Sequence, residues 1–166
     1  MWTYAFGLVV LGDVGDRLNL RWVLAVAMCA SGMITALFGM GPYWTSVQSP
    51  IFYGVVWGLN GFAQSACWPA VVAVVGHWLG KGVRGGVMGL WSGNASAGNG
   101  LGDLLGYVVL QESGLGWQWC LLISGGALLV GGLVIGVALR AHPHDVGLPT
   151  HAAIAAQSET NELLTG

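Results

Sequence analysis

The chain has 166 residues, of which 55% are hydrophobic and only 7% are charged. Soluble domains carry about 25% charged residues, so a surface this poor in charge is typical of a protein embedded in a lipid bilayer. The formal net charge of −2 argues against the basic surface that nucleic-acid binding requires. Glycine and tryptophan are abundant, as in membrane helices that pack through glycine and place tryptophan at the interface.

Apolar stretches along the chain predict an all-α membrane protein. One stretch, residues 1–11, is long enough for only part of a crossing. The others are each long enough to cross the hydrocarbon region as a helix: residues 22–39, 51–78, 86–110 and 117–139. The sequence therefore predicts a transmembrane bundle over residues 1–140. Residues 141–166 are polar without hydrophobic period, which predicts a flexible cytoplasmic tail.

The basic residues indicate the orientation of these spans. The predicted spans place all five on the same side: Arg17, Arg21, Lys81, Arg84 and Arg140. The loops on the opposite side, residues 40–50 and 111–118, contain no lysine or arginine. Because cytoplasmic loops carry the excess of basic residues, this side is predicted to be cytoplasmic.

Small residues recur every four positions in the last two spans, as expected where helix backbones approach closely. They are Gly85, Gly89, Gly93 and Ala97, then Gly98, Gly102 and Gly106, then Gly132 and Gly136. This spacing predicts a tightly packed helical bundle. A surface that slides or rocks during a conformational change is compatible with the same spacing but is not required by it.

The most specific local pattern lies between residues 12 and 21, which are predicted to form a tight loop between two spans. The simple interpretation is topological, with basic residues kept in the cytoplasm. However, the segment resembles the signature between helices two and three of the major facilitator superfamily. Gly12, Asp16, Arg17 and Arg21 match that signature, and Asn19 stands where the family usually has glycine. The resemblance implies that these four residues belong to a conformational-switch loop.

Further stretches narrow the resemblance. Residues 64–69 (QSACWP), 77–78 (HW), 84–85 (RG), 88–92 (MGLWS) and 144–149 (HDVGLP) are similar to the organophosphate:phosphate antiporter branch. The closest likeness is to the eukaryotic sugar-phosphate exchanger group, whose loop reads much like residues 15–24. The resemblance covers residues 1 to about 149. It implies a partial major facilitator fold, comprising the end of helix two and helices three to six of twelve.

The same resemblance implies a function. The family exchanges glycerol-3-phosphate or glucose-6-phosphate for inorganic phosphate by alternating access, without a cofactor, in the endoplasmic reticulum membrane; the plasma membrane or another endomembrane is the alternative. It also implies that Gln64, Trp68 and Trp91 bind substrate beside the central cavity. An indole ring packs on a sugar face and donates one hydrogen bond, although many membrane tryptophans are only interface anchors.

The chain departs from this branch at several positions. Ala95 and Leu8 stand where bacterial relatives have a histidine and a lysine, and the arginine of helix one is expected to lie outside the chain. The alternative function is therefore a truncated, non-transporting membrane protein that associates with a full-length partner or with itself. A membrane enzyme is not expected, because no nucleophile is paired with a base.

Asp103 is the charged residue that lies well inside a predicted span. An intramembrane carboxylate is costly and usually functional, so charge coupling is one interpretation. Proximity to a wet vestibule, or pairing with a basic group on another helix, are the others. No metal site is expected: His142, His144 and His151 lie in the polar tail, and the three cysteines have no ligand spacing.

Overall fold

The computed structural model describes residues 2–44, 49–79, 81–149 and 161, and this part of the chain is helical without strands. It contains α1 (Trp2–Arg17), α2 (Leu20–Trp44), α3 (Pro50–Ser65), α4 (Cys67–Trp78), α5 (Lys81–Trp91), α6 (Asn94–Tyr107) and α7 (Gln118–Ala138). A π-helix, Val108–Glu112, extends α6, and a 3-10 helix, Pro143–Val146, follows α7. The predicted all-α class is confirmed.

Within the described residues, three segments are long and apolar enough to cross a membrane. They are Leu20–Gly41, Pro50–Trp78 and Gln118–Ala138, which correspond to the predicted spans 22–39, 51–78 and 117–139. The second contains both α3 and α4, which are separated only by a turn at Ala66. Pro69 explains the turn, because it has no N–H for the Ser65 carbonyl and its ring crowds that group. Residues Trp2–Gly12 form a shorter apolar helix.

The predicted span 86–110 lies on α5, α6 and the π-helix, with a division at Ser92 and Gly93. The Ser92 hydroxyl donates to the Met88 carbonyl at 2.9 Å, a back-bond that bends helices. The Gly93 N–H donates to the Leu90 carbonyl at 3.1 Å, a hydrogen bond over three residues that tightens the helix at this point. Between residues 82 and 110, all of them described, only Val109 is buried.

Helices α2 and α7 pack antiparallel through small residues along most of their length. A Cβ added at Gly39 would lie 3.0 Å from the carbonyl oxygen of Gln118, where α7 begins. One added at Gly132 would lie 2.7 Å from the Cys29 sulfur. The packing predicted from small-residue spacing is therefore confirmed for α7. On α5 and α6, open space surrounds Gly85, Gly89, Gly98, Gly102 and Gly106.

A hydrophobic core lies between the start of α2, the first part of α4 and the end of α7. Its buried members are Leu20, Leu24, Ala70 and Ala141. Ala141 follows α7 and is only 1% exposed.

Two contacts hold this segment against α4. The Trp78 Nε1–H donates to the Arg140 carbonyl at 2.9 Å, and the rings of His77 and His142 are 4.2 Å apart. The first residues of the predicted tail are thus packed, and the boundary at residue 140 falls inside folded structure. Flexibility of the later tail stays a prediction, because residues 150–160 and 162–166 lie outside the described residues.

Aromatic rings pack at the opposite end of the bundle. The Phe38 ring on α2 lies 4.8 Å from Tyr53 and 5.1 Å from Trp57, both on α3. It also lies 6.4 Å from Trp117, which immediately precedes α7. Such ring pairs are stabilising beyond their buried area, so they hold α2, α3 and the start of α7 together at this end.

Candidate functional site

The predicted site residues Gln64, Trp68 and Trp91 line one cavity of about 400 Å³. This volume is within the roughly 300–1,000 Å³ usual for small-ligand sites. The remaining lining residues are Tyr4, Met28, Ser31, Cys67, Val71, Asn94 and Leu128. The wall that the described residues form is therefore neutral, with aromatic rings and hydrogen-bonding groups but without a charged side chain.

Helix breaks place these side chains. Gln64 lies in the last turn of α3 and Trp68 in the first turn of α4, on either side of the turn at Ala66. Trp91 and Asn94 lie on either side of the division between α5 and α6. Interrupted helices at a midplane cavity are a recurring feature of secondary transporters. The same local sequence features, Pro69 and the Ser92–Gly93 pair, both bend the backbone and bring the cavity residues together.

A buried polar cluster lies directly behind Gln64, between α2 and α3. The Ser31 hydroxyl donates to Asn60 Oδ1 at 2.7 Å, and Asn60 Nδ2 donates to Thr35 Oγ1 at 3.3 Å. Gln64 Nε2 donates to Ser31 Oγ at 3.1 Å and to Asn60 Oδ1 at 3.3 Å. Ser31, Asn60 and Thr35 are 1%, 3% and 6% exposed. In a membrane interior such groups must be satisfied internally, as they are here.

The sequence interpretation did not include Ser31, Thr35 and Asn60, although a signal was present. Ser31 and Thr35 are four residues apart on α2, and Asn60 and Gln64 are four residues apart on α3. Polar residues with this spacing share one face of a helix. Two such pairs in neighbouring apolar spans indicate a polar contact between the helices.

The predicted tight loop over residues 12–21 is wrong in extent, because α1 continues to Arg17 and only Leu18 and Asn19 connect it to α2. Asn19 Oδ1 accepts a hydrogen bond from the Arg21 N–H at 3.0 Å. Asn19 is thus an N-cap that starts α2 at once, which shortens the turn. Gly12 has open space around it. Asp16 and Arg17 lie in the last turn of α1, and their side chains lie outside the described residues.

Arg21 joins the start of α2 to the end of α7. Its Nε–H donates to the Gly136 carbonyl, and its guanidinium lies 5.2 Å from the centre of the Trp22 ring. Gly136 belongs to the last turn of α7, whose carbonyls have no partner within the helix. A cation there is favourable for the helix dipole, so Arg21 stabilises the α2–α7 pair at the predicted cytoplasmic end.

Asp103 lies on α6 with an exposed side chain, away from the cavity wall. No basic residue in the described part of the chain pairs with it. Those residues also hold no group of three histidine, cysteine or acidic side chains that could bind a metal. The His144 side chain and His151 lie outside the described residues.

Comparison with known proteins gives the family. The family model of the Major Facilitator Superfamily matches residues 1–161. The chain belongs to this superfamily, and the all-α fold with three candidate membrane spans is a part of its fold. It is therefore an integral membrane protein. None of the solved structures matches the chain significantly.

Within the superfamily, the chain is similar to several curated proteins over nearly its whole length. Over 162 residues the chain is 41% identical to "Sugar phosphate exchanger 3" of Mus musculus, covering 98% of this chain and 32% of the relative. It is 44% identical to the Gallus gallus protein of the same name over 149 residues, covering 90% of this chain and 29% of the relative. Identity to "Putative glycerol-3-phosphate transporter 1" of Arabidopsis thaliana is 40% over 156 residues, covering 94% and 29%. The chain thus spans about a third of these relatives.

Proposed function

We propose that the chain forms part of a secondary transporter that exchanges a sugar phosphate or polyol phosphate for inorganic phosphate by alternating access. The proposal rests on the finding that Gln64, Trp68 and Trp91 line the same cavity, at the breaks of two helices. The names of the relatives, sugar phosphate exchanger and glycerol-3-phosphate transporter, support the substrate class. The protein is proposed to be a transporter and not an enzyme.

The chemistry of the cavity suits one part of such a substrate. Indole faces pack against the C–H face of a sugar or polyol, and amide and hydroxyl groups bind its hydroxyls. The described wall has no cation for a phosphate dianion, and such a charge is costly in the membrane without a partner. We therefore propose that this wall binds the polyol half of the substrate. The phosphate would be bound by basic groups outside the described wall.

The conformational change is proposed to use the end of the bundle that carries Arg21. The Arg21 contact with Gly136 joins α2 to α7 at that end, beside the α1–α2 turn. Rocking of one repeat against another would break and remake contacts of this kind. Gly12, Asp16 and Arg17 are proposed to act with Arg21 in this switch, and Asp103 is proposed to couple charge movement to it.

The proposed membrane is that of the endoplasmic reticulum, on the likeness of residues 15–24 to the eukaryotic exchanger group. The basic end of the bundle would then face the cytoplasm. Co-localisation of the tagged protein with an endoplasmic reticulum marker tests the compartment. A plasma-membrane or other endomembrane signal would contradict it.

An exchange assay tests the proposed function. The full protein is reconstituted in liposomes loaded with labelled inorganic phosphate, and unlabelled glycerol-3-phosphate or glucose-6-phosphate is added outside. We expect saturable efflux of label that requires external substrate. Efflux no faster than from protein-free liposomes, with protein shown to be folded and inserted, would contradict the proposal.

A further inference from the structure

We infer that Gln64 presents its carboxamide oxygen to the cavity, held in this orientation by Ser31 and Asn60, and that it selects substrates by the hydroxyl groups they donate. The inference rests on the proposed function and defines one contact within it. Ser31 and Asn60 are positioning residues, because they act on substrate only through Gln64.

The hydrogen bonds behind Gln64 fix the direction of its amide. A glutamine amide has two N–H donors and one carbonyl acceptor. Gln64 Nε2 donates to Ser31 Oγ at 3.1 Å and to Asn60 Oδ1 at 3.3 Å, both on the buried side. Ser31 Oγ and Asn60 Oδ1 lie 2.7 Å from each other, so both acceptors are on the same side of Nε2 and direct the nitrogen end of the amide toward the buried cluster. The Oε1 atom accepts no hydrogen bond from the described residues and remains for a ligand.

The donor and acceptor directions within the cluster keep the Gln64 amide in this orientation. Asn60 Nδ2 donates to Thr35 Oγ1 at 3.3 Å, which leaves Asn60 Oδ1 as the acceptor facing Ser31 and Gln64. Ser31 and Asn60 are 1% and 3% exposed, so water has little access to the acceptor atoms of these bonds. In such a dry environment each bond is stronger, and an unpaired group is costly.

The orientation of the Gln64 amide determines which groups of a substrate it can bind. A carbonyl oxygen accepts a hydrogen bond from a substrate hydroxyl, but it offers nothing to a phosphate oxygen, which is also an acceptor. Gln64 therefore favours the polyol half of the substrate beside it. A site built to bind a hydroxyl discriminates against the analogue that lacks it, because its own polar group is then left unpaired.

Substrate analogues provide the test, in the reconstituted full protein. Analogues of the transported sugar phosphate carry hydrogen or fluorine in place of each hydroxyl in turn, and kcat/KM for exchange is measured. At the hydroxyl that Gln64 binds, we expect both replacements to lower kcat/KM by about tenfold, the value of one neutral hydrogen bond. Fluorine accepts but does not donate, so it would restore activity only if Gln64 presented an N–H.

Variants assign the effect to the cluster. Gln64→Leu should remove the discrimination at that hydroxyl, Ser31→Ala should reduce it, and Ser31→Ala in the Gln64→Leu protein should change it no further. Ser113→Ala is the matched control, because Ser113 is exposed and does not line the cavity. It should keep the wild-type discrimination.

The outcomes separate the two claims. Wild-type protein that exchanges no sugar phosphate contradicts the proposed function, and with it this inference. Wild-type exchange with unchanged discrimination in both Gln64→Leu and Ser31→Ala overturns the inference alone. Rescue by the fluorinated analogue overturns the assigned orientation of the Gln64 amide.

Discussion

Gly32 on α2 and Gly125 on α7 meet so closely that a Cβ added to either would lie 2.8 Å from the carbonyl oxygen of the other. Contacts between real Cβ atoms and backbone atoms are essentially never this short. The two helices therefore depend on glycine at this crossing, as closely packed membrane helices often do. This contact accounts for the alignment of α2 with α7, and α2 in turn carries Ser31.

Gly125→Ala is expected to destabilise the bundle by about 1–3 kcal/mol, the usual cost of overpacking. Gly126→Ala is the matched control, because open space surrounds Gly126. It should leave stability unchanged or raise it by up to about 1 kcal/mol, since alanine is the better helix former. Unfolding in detergent measures both variants. Equal stability of the two would contradict the packing at this crossing.

Arg21→Ala is expected to slow exchange, because it removes the contact between α2 and the last turn of α7. Arg84→Ala is the control: Arg84 also caps carbonyls, those of Gly76 and Leu79, but at the end of α4. Each variant should cost about 1 kcal/mol or less of stability. Only Arg21→Ala should lower the exchange rate, and an equal loss in Arg84→Ala would argue for a purely structural role.

Trp68→Ala and Trp91→Ala are each expected to raise KM by about tenfold, the loss of one aromatic contact with the polyol face. Phenylalanine at either position should restore part of the affinity, since the ring face remains. Trp119 is exposed to a similar extent but does not line the cavity, so Trp119→Ala serves as the control. Unchanged KM in both cavity variants would remove these tryptophans from the proposed site.

Asp103→Asn is expected to impair exchange at unchanged surface expression, because the proposed coupling needs an ionisable group on α6. Glu112→Gln provides the comparison, since the Glu112 carboxylate accepts a hydrogen bond from Tyr107 at 2.9 Å. That change should leave exchange near the wild-type rate. Normal activity of Asp103→Asn at every pH tested would assign this carboxylate to a wet surface without a role in coupling.

Much of this architecture was predictable from the sequence because membrane spans are long and nearly free of charge. Three spans have the expected positions, and Gln64, Trp68 and Trp91, predicted by resemblance, line one cavity. What these sequence patterns did not predict were the helix ends and bends. Asn19 shortens the first turn through its own side chain, and Ser92 bends the third predicted span through a back-bond. Such local hydrogen bonds override the apolar pattern that predicts a single helix.

The buried cluster was missed for a different reason. Ser31, Thr35 and Asn60 are single polar residues within apolar stretches, and none of them prevents its stretch from being predicted as a membrane span. Their spacing on α2 and on α3 indicates one polar face on each helix, and only the packing of the two helices shows that these faces meet. The packing of α2 against α3 brings them together.

Substrate protection of a single cysteine measures the binding of a sugar phosphate in the cavity. In protein with Cys29, Cys67 and Cys120 replaced by alanine, cysteine is introduced at Asn94, which lines the cavity, or at Gly100, which has open space around it. We predict that glycerol-3-phosphate or glucose-6-phosphate slows labelling of Asn94→Cys saturably and leaves labelling of Gly100→Cys unchanged. Equal labelling rates with and without substrate at Asn94→Cys, in protein that still exchanges substrate, would contradict the account.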